Sequence, residues 1–259
     1  MALEKRQELA TALRRRLAQT HRPQTGEIRP LGDAAADACL GGGLRCGALH
    51  EIFPAGAGDA PAASGFALAL ARRVTGDKKW LLWVQQDFAA LESGDLLGSG
   101  ISDFGFDPAR LMIVKVPTAA AALRAGAQAL TCTGVGAVVI EPWDATKIFD
   151  LVASRKLTLA AAKHGVSVFA LRHAAQPSPS TAETRWCVRA CPQEVGDWEM
   201  SRFDAELLRN RHGPLGRWIM EWGCNGKFHK IGAAHPRALS SPAFHRPPAA
   251  EAESLRRAG

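Results

Sequence analysis

Apolar and polar positions along the chain fall into three regimes. Through the first two thirds, short uninterrupted apolar runs alternate with Ala/Leu-rich stretches in which apolar residues recur every three to four positions. A continuous apolar run reads as a strand buried on both faces, and a three-to-four spacing reads as a helix with one buried face. On these grounds strands are expected at 49–53, 80–84, 111–116, 137–140 and 166–171, and helices at 65–74, 118–131 and 149–164. Thr118 follows Pro117 and opens an alanine-rich run, as an N-cap would. Strands alternating with helices predict an α/β fold with a mostly parallel sheet flanked by helices.

The second regime begins after residue 171. A polar turn, Gln176-Pro177-Ser178-Pro179-Ser180, leads into alternating segments at 185–190, 203–209 and 217–222. The last two flank Asn210-Arg211-His212-Gly213-Pro214-Leu215-Gly216, which reads as a hairpin loop, so antiparallel strands are expected to extend the sheet at its C-terminal side. Trp218 and Trp222 share one strand face and read as core packing. The third regime lies at the ends. Leu9, Leu13 and Leu17 recur every four residues among Arg6, Arg14, Arg15 and Arg16, which makes 1–22 an amphipathic basic helix that packs on its own domain or on a partner. A linker with Pro23, Gly26 and Pro30 follows, then a core over 31–232 and a Pro/Arg-rich tail over 233–259. That tail lacks a periodic apolar face and is expected to be disordered alone, yet it keeps Leu239, Phe244 and Leu255 among basic residues, a pattern suited to ordering on a partner.

Composition narrows the picture modestly. With 259 residues and 47% hydrophobic content the chain can bury a substantial core. Its formal charge of +7 suits nucleic acid or an acidic protein surface, but the cations are spread along the chain and single out neither. The six cysteines form no C-x-x-C pair and read as free thiols in a reducing cytosol rather than as metal ligands. The basic N-terminus has no apolar signal core and no segment approaches a membrane span, so a cytoplasmic location is expected.

The segment between the first strand and the first helix carries the main chemical question. Strand, glycine-containing loop, helix is the order of a phosphate-binding loop, in which backbone N–H groups and a lysine hold the phosphates. Here the loop Pro54-Ala55-Gly56-Ala57-Gly58-Asp59-Ala60-Pro61-Ala62-Ala63-Ser64-Gly65 has no lysine, and no two of Gly56, Gly58 and Gly65 stand five apart. Pro61 removes an N–H donor, and Asp59 places an anion where triphosphate would lie. Exchanging a cation for an anion about 4 Å from a phosphate shifts the interaction by several kcal/mol at an effective dielectric of about 20. Micromolar binding amounts to only about 8 kcal/mol in total. ATP is therefore not expected to bind, and taken locally the segment reads first as an ordinary strand-to-helix turn that never bound nucleotide.

The order of parts resembles the RecA-like ATPase core over roughly 31–222. Leu40-Gly41-Gly42-Gly43-Leu44 with Gly47 leads into the first core strand, Val138-Val139-Ile140-Glu141 sits at the Walker B position, and Leu208-Arg209-Asn210-Arg211-His212-Gly213 resembles the basic-Asn-basic hairpin with which recombinases reach a neighbouring protomer. A chain of this kind without a working phosphate loop is similar to the ImuA family of bacterial SOS-response proteins. The echoes are Gly47-Ala48-Leu49-His50-Glu51-Ile52-Phe53, Ser64-Gly65-Phe66-Ala67-Leu68-Ala69, Phe106-Asp107-Pro108-Ala109-Arg110-Leu111 and Leu207-Leu208-Arg209-Asn210-Arg211.

The resemblance implies a non-enzymatic accessory factor of error-prone translesion synthesis, without cofactor or metal. Its implied partners are an ImuB-like protein, an error-prone replicative-type polymerase and RecA. Arg209, Asn210 and Arg211, with Leu239, Phe244 and Leu255 of the tail, are then the partner-binding residues. Glu141 would have no triphosphate–magnesium complex to organise and reads as a strand-end carboxylate capping its own turn. His164 and His173 flank a strand with no nucleophile beside them and read as core or surface residues. The alternative is a SulA-like SOS inhibitor of cell division that binds a cytoskeletal GTPase. The chain length and the basic hairpin weigh against it.

Overall fold

The computed structural model describes residues 26–76, 79–143, 148–191 and 200–230. The expected N-terminal helix and the tail, with Leu239, Phe244 and Leu255, lie outside them. Eleven strands and six α-helices occupy the described residues. In chain order they are β1 (Ile28–Arg29), α1 (Ala34–Cys39), β2 (Leu44–Arg45), β3 (Leu49–Pro54), α2 (Ala60–Thr75), β4 (Trp80–Gln86), α3 (Asp87–Ser93), α4 (Gly98–Asp103), β5 (Leu111–Val116), α5 (Ala119–Ala129), β6 (Val135–Glu141), α6 (Leu151–His164), β7 (Ser167–Leu171), β8 (Thr184–Ala190), β9 (Arg202–Asn210), β10 (Gly216–Trp222) and β11 (Phe228–Lys230).

Nine of the strands form one sheet in the order β11-β10-β9-β8-β3-β7-β6-β4-β5. From β8 to β5 every pairing is parallel, and from β8 to β11 every pairing is antiparallel. The apolar runs become strands because both faces of the parallel part are covered, except at the edge strand β5, where Met112 and Ile113 are exposed. On one face α2 packs across β3, β6, β7 and β8; on the other α5 and α6 pack side by side. Alternate residues feed two cores. Ile52, Trp83, Val139 and Phe169 join Phe66 and Leu70 of α2, whereas Leu49, Val84, Ile140 and Val168 join Ala122 of α5 and Leu157 of α6.

Small residues set the depth of the second layer. A Cβ on Gly126 of α5 would stand 2.3 Å from Ile140 Cδ1, so the helix can approach β6 closely only with glycine there. Thr118 caps α5 as expected, accepting from the backbone N–H of Ala121 at 3.2 Å. The antiparallel extension is tied to α2 through aromatic edges: Phe66 meets Trp186, Phe203 and Phe228 at centroid separations of 5.3, 5.6 and 5.4 Å. Trp218 and Trp222 belong to this core, as their register implies.

Two expectations about the lead-in and the loop need correction. The stretch assigned as a linker contains β1, which pairs with β2. Gly43 adopts φ +136° just before β2, where a Cβ would come within 2.3 Å of the Arg29 carbonyl oxygen. The stretch 54–65 is not a loop throughout, because α2 already begins at Ala60 and only Ala55 to Asp59 turn. Alanine-rich sequence after a first-turn proline favours early helix, since Pro61 loses no hydrogen bond there.

Candidate functional site

Ligands of open parallel sheets sit at the carboxyl ends of the strands, near the point where chain connections diverge. In this chain that region is formed by the ends of β3, β4, β6 and β7 and the first turns of α2. A cavity of about 300 Å³ opens there, bounded by Pro61, Ser64 and Gly65 of α2, Gln85 of β4, Glu141 of β6 and Ile101 and Phe104 around α4. Among the described residues its titratable lining is Glu141 and Asp95, with no lysine or arginine, and Asp95 pairs with Lys115 at 2.6 Å.

The turn residues are occupied by the fold. Asp59 Oδ1 accepts from the backbone N–H of Ala190 at 2.9 Å, and the Ala55 N–H donates to the Val188 carbonyl at 2.9 Å, so the turn is laced to the edge of β8. Gly56 is extended, and Gly58 has open space where a Cβ would lie. Neither glycine has the positive φ that a tight phosphate-wrapping turn requires. Ser64 Oγ donates back to the Ala60 carbonyl at 3.1 Å. Gly65 serves packing: a Cβ there would meet Phe104 Cζ at 3.1 Å and Phe203 Cε1 at 3.4 Å.

Glu141 does not cap its own turn. It is 2% exposed, and both carboxylate oxygens are engaged by neighbouring strands. Oε2 accepts from Trp83 Nε1 at 2.6 Å and Oε1 lies 2.9 Å from Nε2 of the buried His173. His173 in turn stacks on Trp143, which meets Phe88 edge-on. Glu141 is thus a structural tie across β4, β6 and the end of β7. No group of three or more His, Cys, Asp or Glu among the described residues is placed to hold a metal ion.

A second buried polar network lies beneath β3 and was not anticipated. Glu51 is fully buried; its Oε2 accepts from Arg185 Nε at 2.7 Å and from Ser180 Oγ at 3.0 Å, while Arg172 stands 3.8 Å from Oε1. Arg172 also lies over the Phe149 ring at 4.2 Å. Beside it His50 bridges Thr184 Oγ1 and the Arg45 carbonyl oxygen, and burial pushes its pKa down to about 4. The signal for both was in the sequence: His50 and Glu51 interrupt an apolar strand, and polar groups buried there need partners.

The hairpin residues divide between support and exposure. Arg209 donates to the Ser180 carbonyl at 2.9 Å. Asn210 Nδ2 donates to the carbonyls of Cys39 and Pro214 at 2.9 and 3.0 Å, which fastens the loop to α1. Arg211 is the member of the triplet whose side chain is exposed. His164 is half-buried in the last turn of α6, away from this chemistry. The six cysteines form no disulfide. Among the described residues no helix is long and apolar enough to cross a membrane.

No protein-family model matches the chain. It is 33% identical over 247 residues to Protein ImuA of Caulobacter vibrioides strain NA1000 / CB15N, an alignment that covers 87% of this chain and 94% of that protein. Protein ImuA of Caulobacter vibrioides strain ATCC 19089 / CIP 103742 / CB 15 matches with the same identity and coverage.

Proposed function

The chain is a member of the ImuA family, and on that premise we propose that it is a non-catalytic, RecA-like accessory factor of SOS-induced, error-prone translesion synthesis. The observation that supports the non-catalytic part is the cavity at the strand ends, which among the described residues is lined by two carboxylates and no lysine or arginine, Asp95 being paired with Lys115 at 2.6 Å. A triphosphate entering it would find, among these lining residues, no cation to offset the loss of its hydration. Both oxygens of Glu141 already serve structural contacts, and Asp59 Oδ1 is tied to the Ala190 N–H.

On this reading the protein works by holding others. An ImuB-like protein, an error-prone replicative-type polymerase and RecA are the proposed partners. Arg211 is the hairpin residue available to a RecA-fold protomer, while Arg209 and Asn210 hold the loop that presents it. The cell-division-inhibitor alternative is disfavoured by family membership spanning 87% of the chain.

Two measurements test the proposal. Deleting the gene should abolish ultraviolet-induced mutation without lowering recombination, and wild-type mutation in the deletion strain would overturn the role. Titration of the purified protein with millimolar ATP and magnesium should give no saturable heat. A micromolar isotherm would overturn the non-nucleotide reading.

A further inference from the structure

The geometry points to the outer face of the α5/α6 layer, together with the cleft at the start of α6, as a docking surface for an acidic, leucine-rich helical segment of a partner protein. The inference rests on the reading of this chain as a partner-binding factor and adds where a partner sits and what kind of segment it offers.

Residues 151, 152, 155, 156, 159 and 163 of α6 fall within one arc of the helical wheel and are all exposed. Three are large aliphatics: Leu151, Val152 and Leu159 are 53, 60 and 60% exposed. The other three are Arg155, Lys156 and Lys163, and Arg124 stands on the neighbouring α5. Neither helix contains a single Asp or Glu. None of the four cations makes an ion pair among the described residues. An ordinary solvated helix face mixes both signs of charge and hides its leucines. This one shows aliphatics and cations of one sign, the complement of an acidic amphipathic helix.

The surface continues into a cleft of about 510 Å³ between Leu151 and the Gln176–Pro179 strand connection, whose lining holds Asp150, the N-cap of α6, and the buried Arg172. The face from residue 151 to 163 is about 18 Å long at 1.5 Å per residue, enough to seat roughly three turns of a partner helix. Nucleic acid would use the cations but has no use for three aliphatic side chains held in water. That asymmetry selects a protein segment.

The test uses full-length protein and a fluorescein-labelled peptide of roughly 18 residues, with leucines at i, i+3, i+4 and i+7 and glutamates elsewhere. Anisotropy should show saturable binding that weakens about tenfold in R155E/K156E and about tenfold in L151S/L159S, each worth about 1.4 kcal/mol. All four positions are exposed, so both variants should keep the wild-type thermal midpoint. Equal binding of a peptide with glutamine in place of glutamate would overturn the proposal. So would a single-stranded oligonucleotide that binds tighter than the peptide and ignores the leucine substitutions. If the peptide does not bind while R155E/K156E restores full mutagenesis to a deletion strain, the surface is rejected and the accessory role stands. A deletion strain with normal mutagenesis rejects the role instead.

Discussion

Replacing Glu51 by alanine is the most direct probe of what holds the centre of this sheet. The carboxylate is fully buried on β3 between Arg172, 3% exposed, and Arg185, 11% exposed by side chain. Its removal deletes the charge-assisted hydrogen bonds from Arg185 and Ser180 and leaves two guanidinium groups in a low-dielectric site without the anion between them. A unit pair at 3.8 Å is worth about 4 kcal/mol at an effective dielectric of about 20. Breaking a buried pair by deleting one partner typically costs about 3–5 kcal/mol. Because the Arg185 guanidinium also reaches the Ser178 carbonyl and Ser180 Oγ, the loss should loosen the connection from β7 to β8 as well.

Urea unfolding followed by tryptophan fluorescence should therefore show E51A less stable by about 3–5 kcal/mol. The conservative E51Q keeps an acceptor for Arg185 and Ser180 and should lose about half as much. The double variant E51A/R185A should recover part of the loss, because one orphaned cation is gone. A loss below about 1 kcal/mol for E51A would refute the reasoning, showing that water or rearrangement satisfies the arginines cheaply. A double variant whose loss equals the sum of the singles would refute the pairing itself.

Three further outcomes follow from single sites. His50 is neutral in the fold with its pKa lowered to about 4 by burial, so its contribution is complete above its unfolded pKa near 6.5 and is lost as pH falls towards 4. At pH 5 the wild type should be about 2 kcal/mol less stable than at pH 8 through this group, and H50Q should flatten that slope in parallel urea titrations. G58A, which enters open space at an ordinary φ, should be neutral or slightly stabilising, whereas G65V drives branches into Phe104 and Phe203 and should lower stability by about 1–3 kcal/mol. N210A should cost about 1–2 kcal/mol by releasing the loop from Cys39, while R211E should leave stability within about 0.5 kcal/mol and weaken co-elution with RecA; unchanged co-elution rejects the hairpin as a docking element.

The sequence by itself determined the layers. The apolar runs of β4, β6 and β7 suit strands covered on both faces, and the alanine-rich helices between them supply the cover, so a parallel α/β sheet was legible from periodicity alone. The alternating segments after residue 171 likewise announced the antiparallel β8 to β10. The missing lysine and the spacing of Gly56, Gly58 and Gly65 are local facts, and they speak against a phosphate site without reference to the fold.

Tertiary structure alone decided which polar residues meet. Glu141 lies 58 positions from Trp83 and 32 from His173, and Glu51 lies 134 from Arg185; pairs this distant leave no periodic trace in the chain. Short elements escaped for a related reason: β1, β2 and α4 are too brief to show a period, and contacts with the rest of the fold hold them. The helix α2 starts at Ala60, ahead of the expected 65, because Pro61 fills a first-turn position and Gly65 makes room for Phe104 and Phe203. Local propensity sets what a segment can form, and packing against residues far along the chain selects among those options.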